Sequence, residues 1–316
     1  MARYIKVSAL GPAPHEMDPE KDPDLCVQEM IEHWDAQLGS VLPDRPDLIV
    51  LPEACDRPPN FPMRLRQRYY EVRGDRIRDH FIEVASAYGC NIAYSSARLL
   101  PDGTYRNSTQ FISRDGGIDG IYDKNHLVVT EHTEGRILFG RDAPVIRTDF
   151  GTVGGAICFD LNFDELRLRY AESRPELIVF SSMYHGGLMQ SYWAYSCRSY
   201  FIGAVAGLPC SVISPLGTLL AASTNYTKHV TTTINLDYAV AHLDFNREKL
   251  STLKRKYGPG VTITDPGYLG SVLITSETSE ATAADMVAEF GIELLDDYFR
   301  RSSSMRAKAI AAQSGR

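Results

Sequence analysis

Two apolar runs constrain this chain most: "PDLIVLPE" at residues 46–53 and "PELIVFSS" at residues 175–182. Each follows a proline and an acid with four apolar residues in a row. A strand that is apolar on both faces must be covered on both, which is the pattern of a central strand in a parallel sheet. Each run is also preceded by a helical pattern. Before the first, Val27, Met30, Ile31, Trp34 and Leu38 fall on one helix face and Gly39 ends it; before the second stands "FDELRLRYA". Strand and helix in alternation specify an α/β fold. The echo between the two runs fits two similar layers facing each other. It also fits the small vocabulary of buried strands.

Other segments extend this plan. "RYIKVSAL" reads as a first strand, and Ile77, Phe81, Val84, Ala85 and Tyr88 as a second amphipathic helix closed by Gly89. "CNIAYSS" is a strand, and "STQFIS" with "IDGIYDK" forms a hairpin about "RDGG". "TVGGAIC" is a strand, "GLMQSYWAYSCRS" a helix, and "FIGAVAG", "SVISPLG" and "TTTINLD" are strands. The break "KYGPGVTITDPGYLG" leads to a final helix at about 281–301 and a polar tail. No linker divides residues 1–240, so the expected organisation is a domain over 1–275 and a helical extension and tail over 276–316.

Composition narrows the function classes. The 316 residues are 44% hydrophobic and 23% charged, as in ordinary globular proteins, with a net charge of −7. No broad basic face is available, which argues against nucleic acid and anionic membranes as partners. Six cysteines are scattered without a CxxC pair, against a zinc ribbon or a redox dithiol. No apolar run reaches the roughly 18–20 residues of a membrane helix, and the first residues do not read as a secretory leader. The expected location is the cytoplasm with reduced thiols, where the sequons at Asn107 and Asn225 carry no meaning.

The chemistry-bearing candidates sit at strand ends. Glu53 closes "LIVLPE", Lys124 closes "GIYDK", and Cys158 closes "TVGGAIC" just before an acidic helix start. In α/β folds the carboxyl edge of the sheet is where sites are built. Alone, each is an ordinary strand-end residue or a buried structural cysteine. Together, a carboxylate, an ammonium and a thiol at three strand ends supply a base, a fixed positive charge and a nucleophile. A cysteine–histidine arrangement through His126, His132 or His185 stays open on this evidence. Zinc ligation by His126, Glu131, His132 and Glu134 fits no standard helical spacing.

The ordered set "LIVLPE", "YDKNHL" and "VGGAICFDLNFDE" resembles the signature segments of the carbon–nitrogen hydrolase (nitrilase-like) superfamily, over roughly residues 3–240. The resemblance implies a four-layer α-β-β-α sandwich that pairs into a homodimer or a higher even oligomer. It implies Glu53 as general base, its pKa raised by apolar neighbours, Lys124 as oxyanion stabiliser, and Cys158 as the nucleophile that forms a thioester. The Phe159 N–H would be a further oxyanion donor, and no metal or organic cofactor is implied. A second glutamate near the lysine is assigned to Glu131, with Glu134 competing. Gly154 and Gly155 would let neighbouring backbone approach the nucleophile strand.

The substrate implied is a small amide or ureido (N-carbamoyl) compound, with ammonia or an amine released. "CFD" in place of C-W-E points away from nitrile substrates, while "FDLN" lacks the arginines by which D-amino-acid carbamoylases hold a carboxylate. Tyr184, His185 and Trp193 are candidates for the pocket wall, with core or interface packing as the competing role. Two other functions stay open. One is a silent binding or scaffold member of the same fold; the other is an amide or acyl transferase using the same three residues.

Overall fold

The computed structural model describes residues 1–314 and divides into two compact units, residues 5–234 and residues 1–4 with 235 onward. In the larger unit the strands are β1 (Tyr4–Leu10), β2 (Leu48–Val50), β3 (Asn91–Leu99), β4 (Tyr105–Ile112), β5 (Ile118–Asp123), β6 (Ile146–Arg147), β7 (Thr152–Ile157), β8 (Leu177–Ser182), β9 (Tyr200–Val205), β10 (Ser211–Ile213), β11 (Leu219–Ala222) and β12 (His229–Asn235). They form two six-stranded sheets, in the orders β12-β1-β2-β3-β4-β5 and β11-β10-β9-β8-β7-β6. The two apolar runs lie at equivalent places. β2 pairs in parallel with β1 and β3, and β8 in parallel with β7 and β9, so every residue of both strands is buried.

Helices cover the outer face of each sheet, completing four α-β-β-α layers. On the first lie α1 (Pro23–Leu38) and α3 (Arg76–Tyr88), with α2 (Met63–Arg73) between them in the chain. Trp34, Met30, Phe81 and Ile77 pack there with Ile49, Ile92 and Tyr94. After the short α4 (Val129–Thr133), α5 (Asp164–Ser173) and α6 (Leu188–Cys197) cover the second sheet, each aligning with its buried residues, Tyr170 and Trp193 among them. Between the sheets, the Ser181 hydroxyl donates to the Leu51 carbonyl at 2.8 Å.

The strand that leads to Cys158, β7, is squeezed from both faces. A Cβ at Gly154 would lie 2.8 Å from the Tyr170 ring of α5, and one at Gly155 would lie 2.7 Å from Tyr122 Cβ on β5 of the opposite sheet. The close approach expected of backbone at these glycines is therefore made by aromatic side chains. Their rings fill the space that a methyl would need.

The second unit contains a three-stranded antiparallel sheet ordered β13 (Tyr238–His242), β15 (Ser271–Ser276), β14 (Val261–Thr264). Its own core joins Ala241, Leu250, Val272, Ile274 and Met286. Helices α7 (Arg247–Tyr257), α8 (Ala283–Glu289) and α9 (Leu295–Ser314) belong to it. The sequence boundary at 275 falls within β15, and "VTIT" in the presumed break is a strand. The final helix expected at 281–301 is two helices. Thr282 caps α8 with Asp285, and Gly291 at φ 56° separates α8 from α9. The polar tail continues α9, because Ala, Lys, Arg and Met favour helix; its last two residues lie outside the described residues. Among the described residues no helix is long and apolar enough to cross a membrane.

Gly155→Ala should destabilise the protein by about 1–3 kcal/mol, since its methyl must displace Tyr122 from a filled interface. Chemical denaturation of the two proteins measures this, and an unchanged midpoint would show that the sheets can part without cost.

Candidate active site

Glu53, Lys124 and Cys158 converge at one end of the facing sheets. Glu53 follows β2, Lys124 follows β5 and Cys158 follows β7. Glu53 is 5% exposed and Lys124 1%. Lys124 Nζ donates to Glu53 Oε1 at 2.7 Å and to Glu131 Oε2 at 2.7 Å. Two carboxylates thus share one buried ammonium. Glu131, on α4, is the glutamate that reaches Lys124, while Glu134 is exposed at the end of that helix. The Val128 N–H also donates to Glu131 Oε2 at 2.8 Å, which fixes the carboxylate to its own helix start.

Asn107 completes the cluster. From β4 its Nδ2 donates to Glu53 Oε1 at 2.9 Å and to Glu131 Oε1 at 2.8 Å, and its carbonyl accepts the Lys124 N–H at 2.8 Å. One side chain therefore bridges both carboxylates, and one backbone group sets the lysine. Sequence reasoning passed over Asn107 as an idle sequon. The signal available was the polar run "NSTQ" at 107–110, unusual for a strand whose every residue there is buried.

Cys158 occupies a strained elbow. Its φ is 47°, in the left-handed region that side chains other than Gly, Asn and Asp seldom adopt. The turn is held by Asp160, a fully buried acid. Its Oδ2 accepts from the Ile157 N–H at 2.9 Å and the Tyr122 hydroxyl at 2.7 Å, and its Oδ1 accepts from the His126 N–H at 2.8 Å. The clamp ties the strand before Cys158 to β5 and to the segment after Lys124. Nothing in "CFD" alone distinguishes such an acid from a solvated helix-start residue.

The electrostatics depart from expectation at Glu53. Burial does push its carboxyl upward, but the Lys124 charge and hydrogen bonds from Lys124, the Cys158 thiol and Asn107 overrule it, so the group lies below its ordinary value. The expected upward shift presumed apolar neighbours, and the neighbours are cationic and polar. For Lys124, burial opposes the charge and the charges of Glu53 and Glu131 more than restore it, leaving the ammonium above its ordinary range. Burial and then the charge of Glu53 push the Cys158 thiol up to about 12, against the opposing pull of Lys124 and the Met183 N–H. The resting site holds a neutral thiol beside an ionised carboxylate.

These groups line a cavity of about 220 Å³ whose other walls include Ala54, Met63, Tyr70, Ala97, Ile137 and Met183. The remaining sequence candidates are distributed differently. Trp193 is fully buried and donates from Nε1 to the Leu161 carbonyl at 3.0 Å, which makes it a core residue behind the elbow. Tyr184 accepts at its hydroxyl from Asn162 at 3.2 Å, and His185 Nδ1 accepts from the Gly187 N–H at 3.1 Å; neither is among the residues lining the cavity. Phe159, next to the nucleophile, is partly exposed and its ring meets Phe163 edge-on at 5.2 Å. His126 stacks on Phe163 at 3.9 Å and His132 Nδ1 lies 3.0 Å from the Ile137 carbonyl, so neither is spent on Cys158. Among the described residues no three His, Cys, Asp or Glu side chains cluster as metal ligands would.

Solved structures share this architecture. A carbon-nitrogen hydrolase from Helicobacter pylori G27 matches with a TM-score of 0.61 and 17% identity, over 81% of this chain and 93% of that one. An amidase from Nesterenkonia sp. matches at 0.63 and 15%, over 80% and 96%. Nit3 of Saccharomyces cerevisiae, a member of branch 10 of the nitrilase superfamily, matches at 0.57 and 16%, over 84% and 97%. At these identities the likeness is one of fold. In sequence, a Schizosaccharomyces pombe protein described as a probable nitrilase is 31% identical over 101 residues, and a Bacillus subtilis protein described as the probable hydrolase YhcX is 32% identical over 115. Those matches cover 31% and 36% of this chain and span only 36% and 22% of the two relatives. The carbon-nitrogen hydrolase family itself matches residues 26–241, more than half of the chain. By that match, and by a fold that its solved relatives share, the chain belongs to the carbon–nitrogen hydrolase family.

Proposed function

We propose that the protein hydrolyses a non-peptide carbon–nitrogen bond in a small amide or N-carbamoyl compound, with Cys158 as nucleophile. The observation that carries this reading is the thiol of Cys158, displayed on a left-handed elbow against a carboxylate that a buried lysine keeps ionised. A binding module has no physical need for charges enclosed at such cost.

The chemistry follows from the charge states. Glu53 takes the thiol proton as sulfur attacks the carbonyl carbon, so no free thiolate accumulates. The oxygen that becomes negative is stabilised by the Lys124 ammonium and the Phe159 N–H, and one such donor contributes about 3–4 kcal/mol. The carbon–nitrogen bond breaks as Glu53 returns its proton to the leaving nitrogen, giving ammonia or an amine and a thioester on Cys158. Water then attacks the thioester, its proton passing to Glu53, and the acid leaves as the thiol re-forms. Glu131 and Asn107 act as positioning residues, holding Lys124 and Glu53 in one arrangement through both half-reactions.

Release of ammonia from short aliphatic amides, ω-amides, N-carbamoyl amines and amino acids, and nitriles tests the assignment. Cys158→Ala should lower turnover of the responding class by more than about 1,000-fold while leaving the fold intact. Undiminished turnover in that variant would remove Cys158 from the mechanism. The neutral resting thiol is tested separately. Alkylation of Cys158 by iodoacetamide should still accelerate through pH 9–10, where an ordinary cysteine has already ionised, because a thiol with a pKa near 12 gains thiolate throughout that range. A plateau near pH 8–9 would show that the resting thiol is not held up.

A further inference from the structure

The wall of the cavity formed by the loop after Glu53 is cationic. Arg57 and Arg66 both line it, together with Tyr70 and Met63. Among the described residues neither arginine forms a salt bridge. The carboxylates of the same cavity, Glu53 and Glu131, are already committed to Lys124 and Asn107. Arg66 is tied to its own loop, donating from Nε to the Phe61 carbonyl at 2.7 Å. Among the described residues the Arg57 guanidinium has one weak contact, from Nη2 to Met183 Sδ at 3.6 Å, and its buried Nε has no hydrogen-bond partner. A buried donor without a partner is costly, and it calls for an acceptor that the protein does not supply. The two guanidiniums also repel: burial first, and then the charge of Arg57, hold Arg66 below its ordinary value.

Met183 places this wall relative to the nucleophile. Its sulfur accepts from Arg57 Nη2 at 3.6 Å, and it lines the same cavity as Cys158, so the thiol and the guanidinium face one small space. Met63, Ala97, Tyr70 and Ile137 provide an apolar wall. The space is below the several hundred Å³ typical of sites for larger ligands. Pro58 and Pro59 follow Arg57 directly, which restricts its backbone and presets its position.

We infer that the substrate carries a carboxylate a short aliphatic chain away from the scissile amide or ureido group, and that Arg57 binds it, with Arg66 adding charge. This rests on the hydrolase reading above and narrows it to ω-amides of dicarboxylic acids and N-carbamoyl amino acids. A carboxylate gives Arg57 the acceptor its Nε lacks, in the planar two-point geometry that suits a guanidinium. It also relieves the repulsion between the arginines. The arginines missing after Cys158 in "CFDLN" are then replaced from a different wall, by a residue four positions after Glu53.

Matched substrate pairs test this: succinamate against butyramide, and N-carbamoyl-β-alanine against propylurea. In the wild-type protein kcat/KM should favour the carboxylate member of the responding pair. Arg57→Met should reduce that preference by about 10- to 100-fold, and Arg57→Lys should restore part of it by keeping the charge without the second donor. Binding of succinate and glutarate, measured by calorimetry on wild-type, Cys158→Ala and Arg57→Met proteins, reads the subsite without turnover. Weakened binding in Arg57→Met alone supports the assignment even if no amide is hydrolysed, and that result would indict only the hydrolase reading. Equal handling of charged and neutral partners, or dicarboxylate binding that is absent or indifferent to Arg57, overturns the subsite while leaving Cys158-dependent hydrolysis standing. The pair that responds separates the amide from the ureido source.

Discussion

The buried ammonium of Lys124, shared by two carboxylates, is the interaction on which the site depends. Each carboxylate would be expensive to enclose alone, and the lysine would be so without them. Joined, and with Asn107 satisfying an oxygen on each, the three charges become a rigid unit. Removing Lys124 leaves two carboxylates without a counter-charge, and removing Glu53 leaves the buried ammonium with Glu131 alone. The cluster therefore keeps Glu53 ionised, and an ionised Glu53 can serve a thiol as base.

The same arrangement explains why the Cys158 thiol rests neutral. The carboxylate of Glu53 raises the cost of a thiolate beside it, and Lys124 offsets part of that cost. The elbow that displays Cys158 is strained and needs support from outside itself. Asp160 provides this by collecting donors from β7, from Tyr122 on the opposite sheet and from His126 beyond Lys124. Fold and site are coupled there: the Tyr122 that crowds Gly155 also braces Asp160, which holds the Cys158 elbow.

Much of this was legible because strands and charges leave local traces. The two continuous apolar runs read as covered central strands, and Glu53, Lys124 and Cys158 each stand where a strand-like run stops. Glu131 was reached through the family resemblance, with Glu134 left competing. Asn107 was not legible, because its role depends on β4 lying beside β5 and in the same sheet as β2, with β3 between, which no local pattern states. Trp193 stayed open between pocket wall and core for a related reason. A tryptophan on a helix near the site suits a pocket wall or a core equally well, until packing decides which face it takes. The antiparallel sheet of the second unit was missed because "VTIT" and "SVLITS" are short and separated by Gly, Pro and Asp, which read as a break.

What the sequence alone determined is the alternating architecture and the two covered strands, which follow from periodicity, a property carried by neighbours in the chain. The carboxylate, lysine and thiol of the candidate site stood at strand ends, and the family resemblance joined them. Only the tertiary structure decided the charge states and the character of the cavity. Glu53 and Lys124 are 71 residues apart, and Arg57 and Met183 are 126 apart. Electrostatic energy depends on separation in space, so a carboxylate expected to be raised by apolar neighbours is instead lowered by a lysine. An arginine that looks like any loop cation becomes a buried donor awaiting an acceptor.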